Sequence, residues 1–99
     1  MDINHLVEDA KMRDDTILDV RTPEEYNSGH IPGAINVPLK ECSKVRLDPH
    51  KKYDVYCASG QRSNLARTIL NERGYNAENI GGINDWTGRI ARKKNKKSP

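Results

Sequence analysis

Short apolar runs alternate with polar, turn-forming segments along the chain. Runs of this kind, bounded by glycine, proline, serine or charged residues, predict β-strands. The predicted strands are Thr16–Val20, Ala34–Val37, Tyr53–Cys57 and Ala77–Ile80.

Apolar residues at helical spacing lie before the first run and between the later ones. Thr22 precedes Pro23 and Glu25, the arrangement of a capping box with proline at the first helical position. Gly74 follows the stripe after the third strand, as glycine does at many helix ends. The predicted helices cover Ile3–Ala10, Pro23–Tyr26, Ser63–Arg73 and Gly82–Ile90, and residues 39–49 are interpreted as a loop with one or two helical turns.

Strands that alternate with helices predict an α/β fold with a mainly parallel central sheet. Right-handed crossovers then place helices on both faces of that sheet. In such a sheet the reactive loops lie at the carboxyl ends of the strands. The loops after the predicted strands are therefore where we look for chemistry.

The 99 residues predict a single domain, residues 1–91, because a chain of this length buries only a modest core. No apolar run approaches the ~20 residues of a membrane helix, and residues 1–10 do not resemble a signal peptide. Two cysteines, Cys42 and Cys57, are too few for a disulfide scaffold. No histidine stands at ligand spacing from either, so we expect no metal. The expectation is a cytoplasmic protein, a monomer, with no membrane partner.

Basic residues concentrate near the C-terminus. Six of the 17 Lys and Arg residues lie between Arg89 and Lys97, a stretch without an acid. The remaining eleven face 14 acidic residues, so the predicted domain is slightly acidic. A basic tail can bind nucleic acid or an acidic partner, but we predict that residues 92–99 form a flexible, solvated end without a specific nucleic-acid partner.

The segment after the third strand carries the clearest chemical signal. Cys57 ends the strand, small residues follow, and a helix begins near Arg62 or Ser63. This geometry aims backbone N–H groups at the sulfur, and the helix N-terminus adds partial positive charge. Gly60 permits a tight turn and Arg62 adds a full charge, so the pattern predicts a thiolate nucleophile in an anion-binding loop. The predicted substrate-binding residues are Ala58, Ser59, Gly60, Gln61, Arg62 and Ser63.

Each candidate residue also has a structural interpretation. A cysteine at the end of a buried strand is often only a small apolar residue, and the surrounding loop is what favours catalysis by Cys57. Arg21 either guides anions or pairs with a carboxylate. Cys42 either resolves an oxidised Cys57 or is an incidental thiol. We predict scaffold roles first for Asp19, Arg21, Glu25 and His30, with Asp19 and Arg21 also candidates for support behind the site, and a core position for Trp86.

Three motifs, in this order and spacing, resemble those of rhodanese domains. They are residues 17–38 (ILDVRTPEEYNSGHIPGAINVP), the Cys57 loop, and Gly81-Gly82 followed by Trp86. The resemblance covers about Thr16 to Arg89. It implies a rhodanese-like α/β fold with a mostly parallel sheet of four to five strands, the fifth lying near Asp2–Asn4.

The resemblance also implies a sulfurtransferase with Cys57 as the catalytic residue. In the family, a sulfane sulfur passes from a small donor such as thiosulfate to the cysteine, and the persulfide passes it to a thiol, a protein thiol or cyanide. The loop N–H groups would hold the outer sulfur, and Arg62 would attract the anionic donor. No metal and no organic cofactor is implied.

Loop length separates this chemistry from a related one. Four residues lie between Cys57 and Arg62, one fewer than in the similar loop of cysteine-based phosphatases. A phosphoryl group is bulkier than one sulfur atom, so the shorter loop favours sulfur over phosphate or arsenate. A non-catalytic rhodanese-like binding or regulatory module is the other alternative, although such modules usually lack the cysteine retained here.

Overall fold

A computed structural model describes residues 2–92, so the predicted flexible tail lies outside the described residues apart from Arg92. Helices and strands alternate as the sequence predicts. Their order is α1 (Ile3–Arg13), β1 (Thr16–Asp19), α2 (Pro23–Ser28), β2 (Ile35–Asn36), β3 (Lys52–Cys57), α3 (Gln61–Glu72) and β4 (Asn76–Gly82), with 3-10 turns at Leu39–Glu41 and Ile83–Asp85.

The four strands among residues 2–92 form one parallel sheet in the order β2-β1-β3-β4. Asp19 at the end of β1 lies beside Tyr56, and Cys57 at the end of β3 lies beside Gly82. The carboxyl ends of three strands therefore meet at one edge, where α/β sheets place their ligands. The predicted α/β architecture is confirmed.

Successive residues of β3 point into two different cores, one on each face of the sheet. Val55 and Cys57 face α3, where they pack with Ala66 and Leu70. Tyr56 faces α1. Each large aliphatic side chain buried in these cores contributes roughly 1.5–3 kcal/mol, so helices on both faces hold β3 and the cysteine at its end. The core on the α1 side contains Ile3, Val7, Ala10, Ile17, Ile31, Ala34, Tyr56 and Ile80.

The predicted capping box starts α2 directly after β1. The Thr22 hydroxyl accepts a hydrogen bond from the Glu25 backbone N–H at 3.2 Å, and the Glu25 carboxylate accepts one from the Thr22 N–H at 2.9 Å. Two N–H groups that the first turn leaves unpaired are satisfied in this way. The box brings Glu25 to the edge of the sheet where Cys57 lies.

The fifth strand predicted near Asp2–Asn4 is wrong. Asp2 is the N-cap of α1, and its carboxylate accepts a hydrogen bond from the His5 N–H at 3.2 Å. An aspartate directly before the first helical residue is a strong helix start. The helix signal therefore extends to Ile3 and leaves no residues for a strand there.

The helix predicted over Gly82–Ile90 is also wrong, because only the turn Ile83–Asp85 is helical. The Asn84 N–H donates to the Ala58 carbonyl at 3.1 Å, and the Thr87 N–H donates to the Asn4 side chain at 2.9 Å. These backbone groups serve neighbouring segments instead of a helix. Trp86 is half-buried against the α1-side core, and its indole N–H donates to the Arg89 carbonyl at 2.9 Å.

Candidate active site

Cys57 lies at the end of β3 with its side chain fully buried, at 0% exposure. Its Sγ accepts hydrogen bonds from the Gly60 N–H at 3.0 Å and the Ser63 N–H at 3.3 Å. Gly60 is the N-cap of α3 in the left-handed region (φ +99°), and it has no side chain that could cap the helix. The first-turn N–H groups of α3 are therefore directed at the sulfur instead of a capping side chain.

Gly82 allows the loop to approach β4 closely. A Cβ atom at this position would lie 2.2 Å from the Ala58 carbonyl oxygen, so no other residue fits without moving the loop. The hydrogen bond from Asn84 to the same carbonyl fixes the loop from the other side. The Gly81-Gly82 motif thus supports the Cys57 loop from the neighbouring strand.

Asn79 is a site residue that the sequence analysis missed. Its side-chain N–H donates to the Gly60 carbonyl at 3.1 Å, and its Oδ1 accepts hydrogen bonds from the Ser63 hydroxyl at 2.7 Å and the Gly81 N–H at 3.0 Å. A β-bulge between β3 and β4 shifts the register at this point, pairing Val55 with Asn79 but Tyr56 with Gly81. An amide within a strand was the only available signal.

The Ser63 hydroxyl has one proton and three acceptors within reach. Asn79 Oδ1 is nearest at 2.7 Å, while Cys57 Sγ and the Gly81 carbonyl oxygen both lie at 3.4 Å. A hydroxyl rotates freely about its C–O bond. The proton can therefore turn from Asn79 to the sulfur when the sulfur becomes an anion.

The pKa of Cys57 is lowered from 9.0, although burial by itself raises it. The compensating groups are the Ser63 hydroxyl and the backbone N–H groups of Ser63, Gly60 and Ser59. Hydrogen bonds to the charged form favour that form, and the N-terminus of α3 adds positive potential. The loop therefore stabilises a thiolate inside an otherwise apolar core.

Arg62 does not donate to the sulfur. Its guanidinium forms a two-pronged ion pair with the Glu25 carboxylate, Nη1–Oε1 at 2.8 Å and Nη2–Oε2 at 3.1 Å. The hydrogen bond from Arg62 is the first cause that lowers the pKa of Glu25, to about 2. The surroundings of Cys57 thus have two separate parts, N–H groups that donate to the sulfur and an arginine that is paired with Glu25.

Asp19 and Arg21 form a buried ion pair behind the site. Arg21 Nη2 lies 2.7 Å from Asp19 Oδ2 and also donates to the Gly29 carbonyl at 2.7 Å. The Tyr56 hydroxyl donates to the same carboxylate at 2.8 Å and accepts from the Ile31 N–H at 3.0 Å. The pair joins β1, β3 and the 29–31 segment, and Arg21 pairs with a carboxylate as one of the two interpretations expects.

His30 and Cys42 are enclosed by other parts of the fold. The His30 ring stacks on Tyr26 with centroids 3.7 Å apart, and its Nδ1 lies 2.8 Å from the Tyr26 carbonyl oxygen. Cys42 is fully buried, and burial raises the pKa of its thiol to about 11. A thiol with that pKa stays protonated at neutral pH, and the pKa of Cys42 is shifted in the direction opposite to that of Cys57.

A cavity of about 580 Å³ opens between α2 and the Leu39–Glu41 turn, with Arg62 in its wall. The cavity is lined by Val20, Thr22, Pro23, Glu24, Pro38, Leu39, Lys40 and Arg62. Of the predicted loop residues, Ser59 and Gln61 are exposed and Ala58 is half-buried.

Within residues 2–92 there is no cluster of three His, Cys, Asp or Glu residues suited to a metal ion. None of the helices described is long and apolar enough to cross a membrane.

Known proteins are similar to this chain in sequence and fold. The family model for the rhodanese-like domain matches residues 3–89. The thiosulfate sulfurtransferase PspE of Escherichia coli (strain K12) is 46% identical over 74 residues, which cover 69% of this chain and 70% of that protein.

Two solved structures extend the likeness to three dimensions. A rhodanese-related protein from Thermoplasma volcanium superposes with a TM-score of 0.81 at 33% identity, covering 94% of this chain and 97% of that one. A rhodanese with anions from E. coli has a TM-score of 0.71 at 38% identity, covering 80% of this chain and 99% of that one. The chain belongs to the rhodanese family and is an enzyme of its sulfurtransferase class.

Proposed function

We propose that the protein is a thiosulfate sulfurtransferase that carries the transferred sulfur as a persulfide on Cys57. The observation that carries the proposal is the set of donors around Cys57 Sγ, with N–H groups of Gly60 and Ser63 at 3.0 and 3.3 Å. A relative of the same class, PspE, is named for thiosulfate. A sulfur anion formed at this position is stabilised before the donor arrives.

The first half-reaction moves one sulfur atom to the enzyme. The Cys57 thiolate attacks the outer sulfur of thiosulfate, a new S–S bond forms, and the S–S bond of the donor breaks. Sulfite leaves with the bonding electron pair, and the enzyme holds Cys57–S–S⁻. The loop N–H groups that stabilise the thiolate are placed to stabilise this anion as well.

The second half-reaction returns the enzyme to its starting state. The thiolate of an acceptor attacks the outer sulfur of the persulfide, the acceptor gains the sulfur as its own persulfide, and Cys57 leaves as a thiolate. Cyanide reacts in the same way and leaves as thiocyanate. Neither half-reaction consumes an oxidant or a reductant.

The loop residues divide this work by position. Gly60 and Ser63 donate to the sulfur, and Arg62 lies in the wall of the cavity that we assign to the donor. Ser59 and Gln61 are exposed and Ala58 is half-buried, so we assign these three loop residues to the entrance of the site. Asp19 and Arg21 support the site from behind, since their ion pair is buried and Arg21 also donates to the Gly29 carbonyl.

The chemistry requires a reduced thiol, so we propose a reducing compartment such as the cytoplasm. We also propose that the enzyme is a monomer. Both described cysteines are free. Fractionation of cells followed by detection of the protein tests the compartment, and sedimentation tests the oligomeric state.

Intact mass spectrometry after thiosulfate treatment tests the proposed function. One added sulfur atom is expected, removed by cyanide with release of thiocyanate and absent in Cys57→Ser. Cys42→Ser is the control and should gain the sulfur as the wild type does. A protein that gains no sulfur and releases phosphate from aryl phosphates would contradict the proposal.

A further inference from the structure

Glu25 makes two sets of hydrogen bonds with different requirements. On its own helix, Oε1 accepts from the Thr22 N–H at 2.9 Å and from the Thr22 hydroxyl at 3.2 Å. Across the site, both carboxylate oxygens bind Arg62, at 2.8 and 3.1 Å. The residue therefore joins the start of α2 to the loop that holds Cys57.

Only the second set requires a carboxylate. A capping box is completed equally by Glu or Gln, because one acceptor oxygen suffices. The two-pronged pair with Arg62 uses the second oxygen and fixes the plane of the guanidinium. The helix start favours glutamate over glutamine only through the helix dipole, whereas the contact with Arg62 uses both carboxylate oxygens.

The pair leaves Arg62 with unused donors beside the cavity. A guanidinium has five N–H groups, and two of them bind Glu25. Arg62 lines the cavity of about 580 Å³ next to the Cys57 loop. Its remaining N–H groups are thus held in one orientation in the wall of this cavity.

We propose that Glu25 is a positioning residue that orients Arg62 to bind the sulfonate oxygens of the donor. The inference rests on the proposed function for the identity of that donor. Thiosulfate carries three oxygens at one end, which match an oriented fork of N–H groups better than a mobile point charge. Glu25 contributes geometry at the expense of net positive charge.

Orientation and net charge give opposite expectations for Glu25→Gln. The substitution removes a negative charge from the site, so an arginine acting as a free point charge would bind anions more tightly. An arginine that must be oriented would bind them more weakly, since the amide offers Arg62 only one acceptor oxygen. Glu24→Gln is the matched control, because Glu24 lies on the same helix, lines the same cavity and is exposed.

Steady-state transfer from thiosulfate to cyanide separates the two expectations. Glu25→Gln should raise the KM for thiosulfate about tenfold with a smaller change in kcat, the split expected when binding is lost. Glu24→Gln should lower the KM slightly or not raise it, because it removes a negative charge from the cavity without a contact to Arg62. In an Arg62→Ala background, Glu25→Gln should cost nothing further, because the two residues act through one contact.

Sulfate protection of Cys57 against alkylation gives a readout that needs no turnover. Sulfate should protect the wild type and Glu24→Gln at lower concentrations than Glu25→Gln, and equal unfolding temperatures would show that the capping box is intact. An active Glu25→Gln protein with the same KM for thiosulfate as Glu24→Gln would overturn the positioning role. So would a Glu25→Gln substitution that causes its full effect in the Arg62→Ala background as well. If the wild type transfers no sulfur but the three proteins keep the expected order of sulfate protection, the proposed function is overturned and the positioning role is supported.

Discussion

Strand β3 buries a chargeable side chain near each of its ends, and the two behave in opposite ways. Cys57 at the carboxyl end is 0% exposed and Asp54 near the amino end is 1% exposed. Burial raises the pKa of both groups. The pKa of Cys57 nevertheless falls below 9.0, whereas that of Asp54 rises from 3.8 to about 7.

The neighbours of each group explain the difference. Cys57 faces the N-terminus of α3, where unpaired N–H groups donate to its sulfur. The Oδ2 atom of Asp54 is buried without a hydrogen-bond partner within residues 2–92. Asp15, which follows the C-terminus of α1, adds a second carboxylate and raises the pKa further.

The nearby cations Lys52 and Arg13 lower the pKa of Asp54 but do not offset its burial, and each already has a carboxylate partner. Arg13 pairs with Asp15 at 2.9 Å, and Lys52 pairs with Glu78 at 2.7 Å. Equal burial thus gives a stabilised anion at one end of the strand and a destabilised one at the other. The parallel topology decides which end is which, since helix N-termini follow strands and helix C-termini precede them.

Cys57→Ser removes the stabilised anion at the carboxyl end of β3 and should have the largest effect of the changes proposed. Replacing the nucleophile is expected to lower thiocyanate formation by about a thousandfold or more, with the fold retained because a hydroxyl accepts the same N–H groups. Cys42→Ser is the control and should keep transfer largely unchanged, since the pKa of Cys42 is about 11. An active Cys57→Ser protein would place the chemistry elsewhere.

Asp54→Asn tests the opposite end through stability. A raised folded-state pKa stabilises the fold fully below the unfolded value near 3.8, and that stability is lost as pH rises through about 7. The wild type should therefore lose stability between pH 5 and pH 8, by on the order of 2 kcal/mol from this group. The amide introduced by Asp54→Asn would remain neutral at both pH values.

Urea unfolding at the two pH values measures that difference. Asp54→Asn should reduce the difference between the free energies of unfolding at pH 5 and pH 8. Asp14→Asn, the same change at an exposed aspartate, should leave that difference as in the wild type. Identical differences in both variants would mean that Asp54 remains charged and hydrated in the fold.

Ser63→Ala should reduce the contrast from the carboxyl end. The substitution removes the hydroxyl that lies 3.4 Å from Cys57 Sγ but keeps the N–H donors of the loop. A hydrogen bond to a charged group is worth about 1.5–3 kcal/mol, so we expect the pKa of Cys57 to rise by about one unit. The pH dependence of alkylation measures it, with Thr68→Ala on the exposed face of α3 as the control. An unchanged pKa would show that the backbone donors suffice.

Truncation after Ala91 should have the smallest effect. The N–H and carbonyl groups of Ala91 both pair with His30 at 2.9 Å, whereas Arg92 adds one exposed hydrogen bond to the Ser28 carbonyl at 3.1 Å. Turnover with thiosulfate and the unfolding temperature should therefore stay close to the full-length values. Truncation after Arg89 removes the His30 pair and should lower stability. A large loss on the shorter deletion would show that residues 92–99 support the domain.

The strand, loop and helix around Cys57 could be predicted from sequence because their signals are local. Turn residues bound the strand, and Gly60 and the apolar stripe of α3 follow within one segment. The capping box at Thr22 was predictable for the same reason. Each of these elements depends on residues within about four positions of one another.

The remaining features depend on distant partners. Glu25 and Arg62 are 37 residues apart, so the sequence predicted a role for Arg62 toward the donor but not its pairing with the Glu25 carboxylate. Asn79 and Asp54 are polar residues within strands, and only the register and the bulge show what each one meets. The helix predicted over Gly82–Ile90 failed because its backbone groups bind Ala58 and Asn4 instead.

An ultraviolet titration of the thiolate tests the central claim, that the loop more than offsets the burial of Cys57. The measurement uses Cys42→Ser protein, with the protein lacking both cysteines as the blank that subtracts the tyrosines. We predict a single thiolate transition with a midpoint below the ~8.5 of a free cysteine. A midpoint at or above that value would show that burial dominates at both ends of β3, and would contradict the account.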